Sequence, residues 1–273
     1  MPNGEARLRL VDSRAVRVLL SNDDGVQAAG LRALSAAFAE EDEVFVVAPD
    51  REQSASSHAI SLHRPLRLFE VAPRWYAVDG TPTDAVYMGL CLVLKDTPPD
   101  LVVSGINHGP NLANDVHYSG TVAAAIEGAL LGVPALSVSL ASPPPHDFAP
   151  AARFAAALAQ AMLAQPDGGG PRVPFLLNVN VPPGPVRGYR LTRLGRRTYG
   201  NEVVEKTDPR GRKYYWIGGE GGARNEDIPG SDCNAVLEGV AAVTPLMLDP
   251  TDHAVLLRLE DMSVPGYAKE ARS

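Results

Sequence analysis

Short runs of apolar and β-branched residues, each too short for a helix, alternate along this chain with longer helix-patterned segments. The runs include Val16–Leu20, "EVFVVAP" (43–49), "DLVVSG" (100–105) and "ALSVSL" (135–140). Between them lie 30–39, "TPTDAVYMGLCLVL" (81–94), "SGTVAAAIEGALLG" (119–132) and "APAARFAAALAQAMLAQ" (149–165). Strand–helix alternation predicts an α/β fold, a parallel sheet covered by helices on both faces. Thr81 with Pro82 at the first helical position and Asp84 three residues on reads as a helix start with a capping box. Ser61–Val71 and Trp75–Val78 predict a strand pair near a sheet edge, the first interrupted by Pro65. Phe175–Val181 extends the main sheet.

After Pro182 the pattern changes. Pro and Gly cluster, helical periodicity fades, and short strand candidates such as "RKYYWIGG" and "AAVTPL" appear. The expected division is a catalytic α/β domain over 1–181 and a mixed, hairpin-bearing extension over 182–273 that serves oligomerisation. "PDGGGP" (166–171) reads as a flexible break.

The 273 residues suffice for a full core, and 45% hydrophobic with 21% charged residues is a globular composition. A net charge of −7 argues against a nucleic-acid partner. The cluster Arg187, Arg190, Arg193, Arg196 and Arg197 is expected to be a solvated or subunit-facing edge, since few aromatics interleave with it. Cys91 and Cys233 are too far apart in sequence for a disulfide framework or a zinc site and fit a reducing, cytoplasmic compartment. Cys91, within an apolar helical run, is expected in the core. The N-terminus has no apolar signal region, and no apolar run approaches the roughly 18 residues of a membrane span.

Ligands of parallel sheets sit beyond the carboxyl ends of the strands. Three polar loops are expected there: "SNDDG" (21–25), "PDREQSASSH" (49–58) and "SGINHGPNLANDVHYSGT" (104–121). Adjacent carboxylates at Asp23 and Asp24 repel by up to about 4 kcal/mol at 4 Å and an effective dielectric of 20. Ordinary turn chemistry with water opposite is one reading of Asn-Asp-Asp-Gly; a bound cation is the other. Ser54 and Asn107 supply further oxygens, and an all-oxygen set suits Mg²⁺, Mn²⁺ or Ca²⁺ rather than zinc. Ser119, Gly120 and Thr121 open a helix and form an anion site, unless Ser119 is only an N-cap. Cation and helix N-terminus together describe phosphoryl transfer. Gly25 and Gly30 have P-loop spacing, but Leu31-Arg32 replaces the required Lys-Ser/Thr. His58, His63, His108 and His117 lack zinc-helix spacing and are expected at the surface or in hydrogen bonds.

"SNDDG", "VFVVAPDREQSASSHAIS", "GTPTDAV" and "SGINHGPNLANDVHYSGTVAAAIEGAL", in that order, closely resemble the SurE family of survival proteins. The resemblance implies a Rossmann-like α/β domain whose C-terminal part exchanges between subunits to give homodimers or homotetramers. It implies a metal-dependent 5′-nucleotidase acting on nucleoside monophosphates, with one divalent cation, Mg²⁺ or Mn²⁺ and Ca²⁺ as a third option. The family's metal ligands fall on Asp23, Asp24, Ser54 and Asn107, with Asp23 also the expected catalytic residue. Its substrate-binding positions fall on Asn111, Ser119, Gly120 and Thr121. Two departures stand out: about 15 residues precede the first strand, and Ser57 stands before His58 where the family often has glycine. A non-enzymatic nucleotide sensor, or a phosphatase for another metabolite or short polyphosphate, are the alternatives.

Overall fold

The computed structural model describes residues 15–165, 175–200, 203–218 and 222–268; the break predicted at 166–171 and most of the N-terminal segment lie outside them. In the first half the elements run β1 (Arg17–Ser21), α1 (Ala29–Phe38), β2 (Glu43–Pro49), β3 (Leu68–Ala72), β4 (Trp75–Val78), α2 (Pro82–Met88) and β5 (Leu101–His108). There follow α3 (Gly120–Leu130), β6 (Ala135–Leu140), α4 (Ala149–Leu163) and β7 (Leu176–Val181). Beyond them come β8 (Tyr189–Leu191), β9 (Arg197–Tyr199), β10 (Val203–Thr207), β11 (Lys213–Ile217), β12 (Ala223–Asn225), α5 (Asp232–Leu237), β13 (Ala241–Pro245) and α6 (His253–Arg258).

Among the described residues, nine strands form one sheet in the order β3-β4-β2-β1-β5-β6-β7-β13-β8. The strands from β4 to β7 are mutually parallel, while β3 and β13 pair antiparallel with their neighbours β4 and β7. Successive strand residues face opposite sides, so one apolar run feeds two cores. Val18 and Leu20 join Leu31, Leu34 and Phe38 of α1 and Ala151, Ala155 and Met162 of α4. Leu19 joins Ala85 and Val86 of α2 and Ala124, Ala125 and Ala129 of α3 on the other face. The expected α/β architecture with two helical layers is the one observed.

Gly30 explains the P-loop-like glycine spacing. A Cβ there would lie 2.1 Å from the Ile106 carbonyl oxygen, so the glycine lets α1 lie against the β5 backbone. The capping box is present as read, with Thr81 and Asp84 satisfying each other's backbone amides.

Three expectations need correcting. The strand predicted from Ser61 begins only at Leu68; Pro65 interrupts the ladder, and the Ser61 amide instead donates to Asp84 Oδ1 at 2.8 Å. Cys91 is exposed rather than buried, because Gly89–Val93 forms a π-helical turn whose wider winding breaks the ordinary helical period. The stretch after Pro182 does not lie wholly outside the sheet, since β13 and β8 complete it beyond β7. The hairpin of β10 and β11 does stand apart as its own two-stranded sheet.

Candidate active site

The strand order turns around β1: the chain moves from β1 to β2 on one side and later returns to β5 on the other. A crevice opens at such a switch point. Here it is a cleft of about 1000 Å³ lined by Asp23, Asp24, Ser54, Asn107, Asn111 and Ser119, among others. Six of the eight residues singled out from the sequence therefore share one surface. Asp23 and Asp24 follow the end of β1, Ser54 lies in the loop after β2, and Asn107 is in the last turn of β5 itself. That strand ends at His108, three residues beyond the end predicted at Gly105, with an irregularity between Ser104 and Asn107.

Gly120 and Thr121 are not in the lining. Both stand behind Asp23. A Cβ on Gly120 would lie 2.8 Å from Asp23 Cβ and from Ser56 Oγ, so the glycine lets the N-terminus of α3 abut the carboxylate. The Thr121 hydroxyl is fully buried and donates to Asp23 Oδ1. Ser119 is the N-cap, its Oγ accepting from the Val122 amide at 3.1 Å. The positive end of α3 thus acts on Asp23 directly.

Burial raises the Asp23 carboxyl above its ordinary value, and the Thr121 hydroxyl partly offsets this. Asp24 is pushed up to about 7, first by burial and then by the charges of Asp23 and Glu52. Its Oδ2 is buried with no hydrogen-bond partner, while Oδ1 has His108 Nδ1 at 3.5 Å. An orphaned carboxylate oxygen beside a second carboxylate is what a cation would satisfy. Among the described residues no group of three or more His, Cys, Asp or Glu is placed to hold a metal, so a cation here needs the neutral oxygens of Ser54 and Asn107. Asn107 donates its amide nitrogen to the Gly109 carbonyl at 2.8 Å, so its oxygen is the atom it could offer a cation. Ser54 Oγ donates to Glu52 at 2.6 Å.

A buried polar network supports the long loop. The Asn111 amide donates to Asn180 Oδ1 at 2.8 Å, and its carbonyl accepts from Asn178 at 2.8 Å and Asn180 at 3.0 Å. Its side chain donates to Ser139 Oγ at 2.8 Å. Asp232 accepts from the Ala113 and Gly195 amides, both at 2.8 Å, tying the loop to the C-terminal half. Ser57 occupies the left-handed region (φ 52) where glycine is easiest, held by His117 and Tyr118 carbonyls. The loop thereby keeps the conformation that glycine would favour. His58 bonds to Glu127 at 2.8 Å, a hydrogen-bonded histidine as expected.

Sequence reasoning missed one wall of the cleft. Arg197, Thr198 and Tyr199 of β9 line it together with Asn114, Asp115 and Tyr118. Arg197 is expected at a solvated or subunit-facing edge, yet its side chain lines the cleft, is only 14% exposed and is bonded to Asp115. The contact joins residues 82 apart, and no local pattern announces it.

The family profile described as "Survival protein SurE" matches residues 18–201. A protein of Anaeromyxobacter dehalogenans (strain 2CP-C), named 5′-nucleotidase SurE, is 78% identical over 256 residues, covering 93% of this chain and 99% of that one. A protein of the same name from Myxococcus xanthus (strain DK1622) is 57% identical over 259 residues, covering 94% and 97%. The crystal structure of the SurE protein from Aquifex aeolicus superposes with a TM-score of 0.77 at 37% identity, over 89% of this chain and 98% of that one. With the family profile matched over most of its length and relatives of that family alike over nearly all of it in sequence and fold, the chain belongs to the SurE family.

Proposed function

We propose that the protein is a divalent-metal-dependent phosphomonoesterase, a 5′-nucleotidase that hydrolyses nucleoside monophosphates to nucleoside and phosphate. The observation that carries this reading is the Asp23–Asp24 pair, with buried Asp23 and the buried, orphaned Oδ2 of Asp24, set beside the capped N-terminus of α3. The names of the relatives point the same way.

Asp23, Asp24, Ser54 and Asn107 would hold Mg²⁺ or Mn²⁺, with Ca²⁺ as a third candidate. When bound, the cation neutralises the carboxylates, polarises a phosphate oxygen and lowers the pKa of a water. Without that neutralisation the cleft would repel its substrate, because Asp23, Asp24 and Glu52 crowd one end. Thr121 holds Oδ1 of Asp23, which leaves Oδ2 to orient an attacking water. The Ser119 hydroxyl accepts from Val122 and retains its proton to donate to a phosphate oxygen. Asn111, fixed by Asn178, Asn180 and Ser139, presents its side chain at the same wall.

Assembly belongs to the same proposal. Trp216 and Ile217 on β11 are exposed, as are Leu257 and Leu259 in and after α6. Apolar residues in a short hairpin and a six-residue helix gain burial by packing on another subunit. We assign 182–273 this role in a homodimer or homotetramer, together with the wall that β9 lends the cleft, and 1–181 the catalytic role. No helix among the described residues is long and apolar enough to cross a membrane. Both cysteines are free, which supports a cytoplasmic setting.

Phosphate release from a panel of nucleoside monophosphates, with Mg²⁺ or Mn²⁺ and after exhaustive chelation, tests the reading. Turnover that chelation abolishes and metal restores is the expected result. Full activity without metal overturns the metal site, and tight nucleotide binding without phosphate release would mark a sensor instead.

A further inference from the structure

The β9 wall takes no part in the chemistry described so far, yet it is rigidly built. Asn114 Oδ1 accepts from the Arg197 amide at 2.9 Å. The two carboxylate oxygens of Asp115 are both engaged, one by the Arg197 guanidinium and the other by the Tyr199 hydroxyl. The guanidinium carbon lies 5.8 Å from the centre of the Tyr199 ring. Arg197 and Asp115 neutralise each other, so this wall has no net charge with which to draw a phosphate. What it offers is aromatic surface: Tyr199 is 49% exposed, and Tyr118, next to Ser119 in the chain, is 65% exposed.

A flat, uncharged ring is the ligand part that such a surface suits. Aromatic side chains gain from covering by a π-system, and a guanidinium on the ring adds to the attraction. A platform already held by hydrogen bonds loses little freedom when a ring settles on it. The cleft, about 1000 Å³, is far larger than a phosphate and a cation need, and it joins the acidic end to this wall without a break. We propose that Tyr199, positioned by Asp115 and Arg197, is the platform on which the nucleobase of the substrate stacks, and that it sets the preference for nucleoside over smaller phosphate esters. This rests on the phosphomonoesterase reading and adds to it where the leaving nucleoside lies.

Stacking has a characteristic signature. Every base has a π-face, so the platform favours nucleosides over glycerol phosphate while discriminating weakly among bases.

The test is the ratio of kcat/KM for AMP to that for glycerol phosphate, measured with metal saturating on the full chain. The wild type is expected to prefer AMP. Tyr199→Leu, which keeps apolar bulk but removes the ring, should lower the ratio about tenfold, the size of one lost base–aromatic stack. Tyr199→Phe, which keeps the ring, should retain most of it. Adenosine alone should inhibit the wild type and the Phe variant more strongly than the Leu variant. A Leu variant with an unchanged ratio, or one that loses both substrates in equal proportion, overturns the platform. A wild type that hydrolyses both esters with equal efficiency also overturns it, while leaving phosphomonoesterase activity standing. A wild type that hydrolyses neither takes the proposed function down with it.

Discussion

Replacing Asp24 by asparagine should stabilise the metal-free protein at alkaline pH while abolishing its stabilisation by metal. Asp24 carries a carboxyl value pushed up to about 7 against 3.8 ordinarily, by burial first and by Asp23 second. A group raised on folding costs nothing below its unfolded value, where both states are protonated, and its full cost appears as pH climbs through the folded value. At about 1.4 kcal/mol per decade, the ionised carboxylate lowers stability by at most about 4 kcal/mol near pH 8. Asp24 lines an open cleft whose water can reorganise around its charge, which reduces the working figure to about 2 kcal/mol. Asparagine keeps the volume and removes the charge. Urea unfolding in chelator should show Asp24→Asn about 2 kcal/mol more stable than wild type near pH 8, converging to within about 0.5 kcal/mol near pH 3.5. Excess Mn²⁺ should reverse the order near pH 8, because only the wild type keeps both carboxylates. A variant no more stable than wild type in chelator near pH 8 would refute the account of an uncompensated buried charge.

Gly30→Ala should cost about 2–3 kcal/mol in thermal or urea unfolding, because its Cβ meets the Ile106 carbonyl at 2.1 Å; unchanged stability would mean that α1 can move off β5 freely. Ser119→Ala should lose a helix cap worth about 1 kcal/mol and one charge-assisted bond to phosphate. Its kcat/KM should fall by about one to two decades, phosphate inhibition should weaken, and the metal titration should stay in place. Asn107→Ala should shift the metal titration first; the two variants showing each other's pattern would refute the assigned roles.

Local chemistry made part of this molecule legible. β2 and β6 have the bounds their apolar runs suggest, and α2 starts at its capping box. Asp23, Asp24, Ser54 and Asn107 line one cleft because a parallel sheet delivers its loops to one edge, whatever the details of packing. Contacts across long stretches of chain were not legible. "AAVTP" reads as a strand, but its pairing with β7 joins Val243 to Val179 through a connection that no short window contains. Thr121 looks like an anion ligand by its place after Ser119-Gly120; only the fold shows its hydroxyl turned to Asp23. Arg197 sits among arginines that do reach outward, such as Arg196, which is paired with Glu226 and 70% exposed.

Polar residues inside the central strands follow from the same dependence on distant partners. "ALSVSL" and "LLNVNV" carry Ser137, Ser139, Asn178 and Asn180 at alternate positions, all fully buried. An isolated buried amide or hydroxyl would cost free energy at each of them. Here they satisfy one another and the loop above: Ser137 donates to Asn178 at 2.9 Å, while Ser139, Asn178 and Asn180 together hold Asn111. A satisfied buried network is rigid, because any displacement leaves several groups unpaired at once. Asp232, also fully buried, extends that rigidity from Ala113 to Gly195, two residues before β9. The acidic end of the cleft and the Tyr199 wall are therefore mounted on one frame. The bonds of Asp232 to Ala113 and Gly195 tie the long cleft loop to the segment that leads into β9, so the wall proposed to receive the nucleobase is held to the rest of the cleft by buried hydrogen bonds.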